Sequence, residues 1–408
     1  MASFYIPLTG LESDSTALNT IANNLANLNT TGFKTQNVNF SDLFYQQIGE
    51  EGSGDLIQQG SGVSAAAIES QFTQGSTVST GNSTDVAING NGFFVISNGG
   101  SNIYTRDGNF GLDSNGNLIT QQGQTVMGYP AVGGVVNTNA PLAGITIPVG
   151  QVEPPQASSN FGMTANLDAS AAVGTAVPGQ ITLYDSLGVS HVATVTYTKT
   201  ANNTWTYSIA LPAGAATGSA NTTGTLTFDT SGNLTSPAAN VAGVGFTGLA
   251  DGAGDMTLSF NVLGTSGSPT ITQVDAPSAV SATKQNGYAS GQYESFSVAD
   301  DGTVEASFSN GQKLAVGQLA LANVANLQGL QLLGSGEYAA TTASGAAAIG
   351  TSGAAGLGTF QDASLEESNV NISAQFSDLI IAQRAFEANS KAVTTFDTVA
   401  QETINMVH

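Results

Sequence analysis

The N-terminal region carries a hydrophobic repeat of seven residues. Leucines recur at Leu11, Leu18 and Leu25, and Ile21 and Leu28 occupy the adjoining row. Apolar side chains at this spacing lie along one stripe of a helix and pack against a second helix. The pattern therefore predicts an amphipathic, heptad-based helix near the start of the chain.

Local signals suggest where this helix begins and ends. Thr9 and Glu12 have the spacing of a capping box, in which each side chain bonds the other residue's backbone N–H. Gly32 follows the repeat, as glycine commonly does at a helix C-terminus. We expect a helix over about residues 10–29, with Gly32 and Phe33 forming a hinge into the next segment.

The C-terminal repeat is longer, running for some 40 residues, or about 60 Å of helix. Its apolar positions are Ile372, Phe376, Leu379, Phe386, Val393, Phe396, Ala400 and Ile404. Ser364 with Glu367 offers one capping box, and Asn371 is an alternative helix start. Both ends of the chain are thus predicted to be heptad helices.

The sequence between the ends has a period of two. Thr194–Tyr197 and Thr204–Tyr207 alternate in the manner of half-buried strands, and "DSNGNL" at 113, "DTSGNL" at 229 and "ADDGTV" at 299 are hairpin signals. The middle of the chain is therefore predicted to be β-rich.

Composition changes at Pro154–Pro155 and between Gly264 and Lys284, which indicates that one β unit is inserted into another. The expected fold is multidomain α+β, with the terminal heptad helices forming an inner coiled-coil domain beside two nested β-rich domains. The expected divisions are a helical polymerisation domain (1–30 with 364–408), a glycine-rich connector (31–70), an inner β domain (71–150 with 283–363) and an outer inserted β domain (151–282).

The net charge and the N-terminal sequence indicate which classes of partner are unsuitable. Only 9% of the 408 residues are charged and the net charge is −22, which would repel nucleic acid and anionic lipid. The N-terminus "MASFYIPLTG" lacks the basic and apolar regions of a cleaved signal peptide, and no apolar run is long enough for a membrane span. We therefore expect neither nucleic-acid binding nor membrane insertion.

The Asp113 turn partly resembles a calcium loop. Asp113, Asn115 and Asn117 match its first ligands, but Leu118 replaces the required glycine and Gln124 replaces the bidentate glutamate. The Asp229 turn departs in the same way, at Leu234 and Asn240. Plain hairpin turns are the preferred interpretation of both.

Other candidate chemistry is sparse. His191 and His408 are the two histidines, and we expect packed or surface roles for both. Asp300–Asp301 and Glu366–Glu367 are adjacent carboxylates that a glycosidase could use, but they fall in a turn and at a helix start. No catalytic residue, cofactor or metal is therefore expected.

The terminal helices raise an energetic question. The N-terminal one contains Asn19, Asn23, Asn24 and Asn27, which favour helix less than alanine does. Ordering about 65 terminal residues costs on the order of 100 kcal/mol. We expect these ends to stay largely unfolded until neighbouring copies bury them. An intramolecular coiled coil is the alternative.

Several long stretches resemble the bacterial flagellar rod, hook and hook-associated proteins. The terminal signatures are residues 17–34 ("ALNTIANNLANLNTTGFK") and 365–405, from "LEESNVNISAQF" to "AQETIN". Residues 58–96 and 104–130 are similar to the inner β domain of this family, and 183–209 to the outer domain of hook proteins.

The resemblance implies a structural subunit of the flagellar hook, a homopolymeric curved tube that transmits torque from rod to filament and encloses the export channel. Implied partners are further copies, the rod and hook-filament junction proteins, the hook cap and the flagellar export apparatus. The implied location is extracellular, after type III export without signal cleavage. Asn371 and Phe386 stand where the family usually has aspartate and tyrosine.

Three alternatives remain open at this point. A distal rod protein of the same family would form a straight polymer. A β-rich surface adhesin or S-layer protein fits the Gly, Ser and Thr content but leaves the terminal heptads unexplained. An enzyme acting on extracellular polysaccharide would depend on Asp300 and Asp301.

Overall fold

The computed structural model describes residues 2–50, 56–264 and 266–406. A long helix lies at each end of this described part: α1 (Ala2–Ala26) and α2 (Ile372–Met406). His408 falls outside the described residues. Neither helix has an apolar stretch long enough to cross a bilayer, so no spanning helix occurs in the described ranges.

The observed helix starts show that the cap predicted at Thr9 is wrong and that α2 begins after Asn371 rather than Ser364. Thr9 is not a cap, because α1 starts before it and its hydroxyl donates to the Ile6 carbonyl at 2.8 Å. At the other end the alternative start is confirmed: Asn371 Oδ1 accepts the Ala374 N–H at 3.1 Å, one residue before α2 begins. Ser364 instead belongs to a strand.

The chain forms two compact units. Unit 1 comprises Met1–Val149, Ser295–Ala306 and Lys313–His408, and unit 2 comprises Gly150–Glu294 and Ser307–Gln312. Terminal helices, connector and inner β strands all belong to unit 1. Their separation into distinct domains stays a prediction from the sequence.

The connector contains four strands in unit 1: β1 (Gln36–Asp42), β2 (Gln46–Glu50), β3 (Leu56–Gln59) and β4 (Val63–Ser70). β1 pairs with β4 and β2 with β3, both antiparallel. The glycine-rich segment is therefore a β-ribbon, and its outer part exposes apolar side chains such as Phe44 and Ile48.

The remaining N-terminal strands of unit 1 are β5 (Thr77–Ser79), β6 (Val86–Asn89), β7 (Phe93–Asn98), β8 (Ser101–Thr105), β9 (Phe110–Leu112), β10 (Leu118–Thr120), β11 (Thr125–Val132), β12 (Val135–Val136) and β13 (Ala143–Gly144). β9 and β10 pair across the Asp113 turn, as predicted.

Unit 2 contains β14 (Val152–Glu153), β15 (Asn160–Asn166), β16 (Ala176–Tyr184), β17 (Ser190–Ala201), β18 (Thr204–Ala210), β19 (Ala216–Ala220), β20 (Thr223–Phe228), β21 (Leu234–Ser236), β22 (Val241–Leu249), β23 (Met256–Asn261), β24 (Ile271–Thr272) and β25 (Ala279–Gln285). The order β16-β17-β18-β20-β21 makes one antiparallel sheet, and β19-β22-β23-β15-β24, with β25 on β15, makes a second, mixed sheet. Alternating residues of both sheets share one apolar core that includes Trp205, Tyr197, Phe161 and Phe260. Unit 2 is a β-sandwich.

Two of the four unit boundaries fall within β26 (Gly291–Val298) and β27 (Thr303–Phe308). Unit 1 then continues with β28 (Lys313–Leu319), β29 (Leu321–Asn323), β30 (Gln331–Gly334), β31 (Glu337–Ala339), β32 (Ala348–Gly350), β33 (Thr359–Asp362) and β34 (Ser364–Glu366), plus short 3₁₀ turns at Leu327–Gly329 and Ala354–Gly356. Its main sheet runs β28-β11-β7-β8-β31-β30 and is antiparallel. Phe93, Val95 and Tyr338 lie in its core.

Candidate functional site at the terminal helices

The two terminal helices pack against each other in antiparallel orientation. Asn24 Nδ2 donates to Gln375 Oε1 at 2.9 Å, and at the other end of the contact Asn389 Nδ2 donates to Asp14 Oδ2 at 2.8 Å. The chain thus brings its two ends together within unit 1. This pairing has the geometry expected of the intramolecular alternative.

Small and polar residues form the seam of this pair. Their heptad positions are Gly10, Ala17 and Asn24 on α1, and Gln375, Ala382 and Asn389 on α2. A Cβ atom at Gly10 would lie 2.7 Å from Asn389 Nδ2, so a larger residue there would require the Asn389 side chain to move. At Gly10, Asn24, Gln375 and Asn389 the two helices therefore meet through small or polar side chains.

The bulky residues of the predicted heptads are either half-buried or exposed in the helix pair. Half-buried positions are Leu11, Leu18, Ile21, Leu25, Leu28, Leu379 and Val393, and exposed positions are Ile372, Phe376, Phe386, Phe396, Ala400 and Ile404. On α1 the seam is one residue, or about 100°, before the leucine row. That these bulky residues contact neighbouring subunits stays a prediction.

The apolar exposure of α2 is extensive. Phe376 and Ile380 are 52% and 51% exposed, and they are neighbours, one turn apart on the same face of the helix. From Thr394 to the end of α2 every residue is exposed, including Val399 and Ile404. Contiguous apolar surface of this kind marks an interaction site in a soluble protein.

An open groove of about 500 Å³ lies between α1, β1 and α2. Ile21, Val38, Phe40 and Ile381 are among the residues that line it. Apolar side chains thus meet solvent between the elements of the helix pair as well as on its outside.

One of the helical asparagines holds three elements together. Asn24 is buried; its Oδ1 accepts the Gln36 N–H at 2.9 Å, and its Nδ2 donates to the Gln36 carbonyl at 2.8 Å as well as to Gln375. An amide can donate and accept at once, which no apolar residue could do here. Asn23, by contrast, is exposed.

Gly32 sits where α1 leads into the connector. Its φ is +67°, and an added Cβ would lie 2.7 Å from the backbone carbon of Arg106. Its N–H donates to the Glu366 carbonyl at 2.8 Å. The adjacent Phe33 accepts the Asn369 N–H through its carbonyl at 3.3 Å. The predicted hinge is therefore tied to the segment that leads into α2.

A buried ionic cluster lies at the same junction. Glu366 Oε1 is 2.6 Å from Lys34 Nζ and Glu366 Oε2 is 3.1 Å from Arg106 NH1, and all three side chains are almost fully buried. Burial lowers the pKa of Lys34, and the attraction of Glu366 opposes that shift. Burial likewise lowers the pKa of Arg106. These side chains link the start of the connector, the inner β strands and the lead-in to α2.

Asn369 completes the junction. Its Oδ1 accepts the Thr35 N–H at 2.7 Å and its Nδ2 donates to the carbonyls of Gln71 and Thr73. The lead-in to α2 is therefore fixed to the connector by hydrogen bonds as well as by charge. Lys34, Arg106 and Asn369 are not predictable as partners from the sequence, because nothing in their local pattern shows that they meet.

The other sequence candidates have structural roles of their own. Asp113 Oδ1 accepts the N–H groups of Asn115 and Asn117, and Oδ2 accepts Asn117 Nδ2, which are the bonds of a hairpin turn. Asp301 Oδ1 accepts the Thr303 N–H in another turn. Glu366 is in the ionic cluster, whereas Glu367 is exposed.

Comparisons with known families cover most of the chain. Residues 4–34 match the flagella basal body rod protein family, 87–228 the flagellar hook protein FlgE/F/G D1 domain, 175–288 the flagellar basal body protein FlaE D2 domain, and 361–406 the flagellar basal body rod FlgEFG protein C-terminal family. The terminal matches include both helices described above.

Full-length relatives are also known. The chain is 36% identical to the flagellar hook protein FlgE of Salmonella typhimurium, over 99% of this chain and 100% of that protein. It is 34% identical to FlgE of Treponema pallidum, over 100% and 99%. The crystal structure of the Helicobacter pylori flagellar hook protein FlgE2 is similar in fold, with a TM-score of 0.54 at 15% identity over 70% of this chain and 99% of that one.

Proposed function

The chain belongs to the flagellar hook protein family and is a structural subunit of the flagellar hook, and we propose that copies assemble through the outward faces of α1 and α2. The cited full-length relatives are hook proteins rather than rod proteins or adhesins.

One observation carries the assembly proposal. In the terminal helix pair the seam is filled by small and polar residues, whereas Phe376, Ile380 and Phe396 remain exposed. Burying one such side chain fully contributes about 1.5–3 kcal/mol, so contact between copies would supply stabilisation that the single chain lacks. Folding of the termini and assembly are then coupled.

The junction gives this proposal a mechanical side. Lys34, Arg106 and Glu366 fix the segment that follows α1 and the segment that precedes α2 to the inner β strands of unit 1. A force on the helix pair would therefore pass into the β strands rather than be lost in a flexible linker. We propose that the ribbon β1–β4 and the domain seams permit the small displacements that a bent, rotating tube requires.

The finer partners and location are proposals too. Flagellar rod and hook-filament junction proteins, the hook cap and the export apparatus are proposed partners of this subunit, and its proposed location is outside the cell after export without signal cleavage. A structural role without catalysis is proposed as well.

Truncation tests the proposal. The shortened chain should lack Met1–Ala26 and Ile372–His408 but keep residues 364–371, because Glu366 and Asn369 hold the junction. We expect it to be a folded monomer by circular dichroism and sedimentation, whereas the full-length chain forms curved tubes after salt-induced association. Polymers of the shortened chain would contradict the proposal.

A further inference from the structure

Unit 2 contains a histidine between two carboxylates. His191 Nε2 is 2.8 Å from Asp185 Oδ2 and 3.1 Å from Asp251 Oδ2, and one ligand atom from each residue lies within 4.8 Å of the other two. The Asp185 and His191 side chains are 0% and 9% exposed, and that of Asp251 is 22% exposed. The cluster is thus mostly buried, with access to solvent from the Asp251 side.

The Asp185 turn differs from its two equivalents in one respect. At Asp113 and Asp229 the Oδ2 atom accepts the side-chain amide of the asparagine four residues later, so each turn satisfies its own carboxylate. At Asp185 that position is Val189, which has no such group. The Oδ2 atom of Asp185 is directed to His191 instead.

Both carboxylates are held in place through their other oxygen. Asp185 Oδ1 accepts the N–H groups of Leu187 and Val189 at 2.8 and 3.0 Å, and Asp251 Oδ1 accepts that of Ala253 at 3.0 Å. Outer bonds of this kind orient the ligands of metal sites. Each Oδ2 is thereby directed to the same ring nitrogen.

Two ionised carboxylates in this cluster carry more negative charge than one histidine can balance. A neutral imidazole has one proton for Nε2 to share between two carboxylates, and a protonated imidazole still leaves one negative charge. An ionised carboxylate is the form that binds a cation.

We propose that Asp185, His191 and Asp251 form a binding site for a divalent transition-metal ion of the zinc type. One imidazole nitrogen and two carboxylate oxygens are zinc ligands, and three protein ligands leave a fourth, tetrahedral position for water. Ligand distances of about 2.0–2.2 Å require tetrahedral ligand atoms to be roughly 3.4 Å apart. The two distances from His191 Nε2 to the carboxylate oxygens, 2.8 and 3.1 Å, need to lengthen by only about half an ångström or less to reach this value.

The ion would join the two sheets of the sandwich. Asp185 and His191 flank the β16–β17 turn of one sheet, and Asp251 follows β22 of the other. In a chain without cysteine, a metal bridge between sheets stabilises this outer unit in the way a disulfide otherwise would.

Nuclear magnetic resonance of the full-length protein tests the site directly, because the chain has only two histidines. After treatment with a chelator, zinc chloride is added while the ring signals of His191 and His408 are followed. We expect the His191 signals to change and to saturate at one equivalent of zinc, and calcium chloride to have no such effect. His408 reports non-specific binding.

Paired variants assign the ligands. D251N should weaken zinc affinity at least about tenfold, and D255N, a nearby acid outside the cluster, should not. D185N should weaken it similarly, whereas D229N alters the equivalent self-satisfied turn and should have no effect. Because the Asp251 side chain is partly exposed, D251N should fold normally. A loss of zinc affinity in D251N therefore reports a lost ligand, even if D185N has a folding defect.

Several results would overturn the site. They are no change at His191 up to millimolar zinc, a change at His408 only, and unaltered affinity in D251N. A His191 signal that responds to pH but not to zinc would assign the cluster to a proton instead. The assembly proposal rests on unit 1 and would be unaffected by any of these outcomes.

Discussion

The inserted sandwich and the terminal helix pair bury opposite kinds of side chain. In the sandwich the aromatic residues are inside: Trp205, Tyr197 and Phe260 are fully buried. In the helix pair Gly10 and Ala382 occupy the seam, and Phe376 is half exposed. A single chain therefore completes the core of unit 2 but not the apolar faces of its terminal helices.

The difference indicates which part of the molecule depends on other copies. Buried aromatic residues supply large stabilisation within the sandwich, and edge-to-face contacts such as Tyr207 with Phe260 add to it. The two helices are joined by side-chain hydrogen bonds, each of net worth only about 0.5–1.5 kcal/mol, while large apolar residues of α2 stay exposed. The sandwich should be stable alone, and the helices should gain most of their stability on assembly.

Two Phe→Ala substitutions would break the comparison if it is incorrect. F260A removes a fully buried ring that stacks on Phe161, and it should cost about 3–5 kcal/mol of sandwich stability while assembly is retained. F376A should change monomer stability by less than about 0.5 kcal/mol. It should nevertheless raise the critical concentration for assembly at least about tenfold. Denaturant unfolding and sedimentation measure the two effects; normal assembly of F376A would count against the account.

A substitution at Glu366 tests the junction between the helix pair and the β strands of unit 1. E366Q leaves Lys34 and Arg106 buried without their carboxylate, and it should destabilise unit 1 by about 3–5 kcal/mol. E367Q, at an exposed neighbour, should change stability by no more than about 0.5 kcal/mol. Chemical denaturation with a probe in unit 1 checks both. Equal effects would show that the ionic cluster contributes little.

Gly32 lies at the same junction between the helix pair and the β strands, and its backbone geometry allows a second test of that junction. Gly32 and Gly81 both have positive φ, so alanine costs about 1–2 kcal/mol of strain at each. Only at Gly32 does the new Cβ meet backbone, which adds about 1–3 kcal/mol. The midpoint temperature of thermal unfolding of G32A should therefore be well below that of G81A. Indistinguishable transitions would mean that the junction adapts freely.

Asn24 tests the polar seam with the smallest expected effect. N24A removes the amide that bonds the part-buried backbone N–H and carbonyl of Gln36, and it should cost about 1–3 kcal/mol. N23A changes an exposed position and should be neutral or slightly stabilising, because alanine favours helix. Helix content by circular dichroism of the assembled protein reports both. Equal losses would remove the special role given to Asn24.

Local pattern was sufficient for much of the fold. The leucine row beginning at Leu11 and the row beginning at Ile372 predicted the two helices, and Asn371 was recognised as a possible start. Hairpin turns at Asp113 and Asp229 follow directly from glycine and asparagine chemistry. These features depend on residues close in sequence, which a reader of the chain can see together.

Contacts between distant residues were not available from the sequence. The heptad repeat did not show that Ala17 rather than Leu18 belongs to the seam, because both rows have the same period. Glu366 was considered only beside Glu367, although its partners are Lys34 and Arg106. Likewise the sequence predicts only a packed or surface role for His191, since Asp251 is 60 residues away in the chain and only the sandwich brings it close.

Hydrogen exchange measured by mass spectrometry tests the central claim most directly. It should be recorded for the dilute full-length monomer and for assembled tubes, comparing α1 and α2 with the sandwich strands β17 and β18. We predict rapid exchange of both helices in the monomer, strong protection in the tubes, and equal protection of β17 and β18 in the two states. Helices already protected in the monomer to the level found in the tubes would contradict the account.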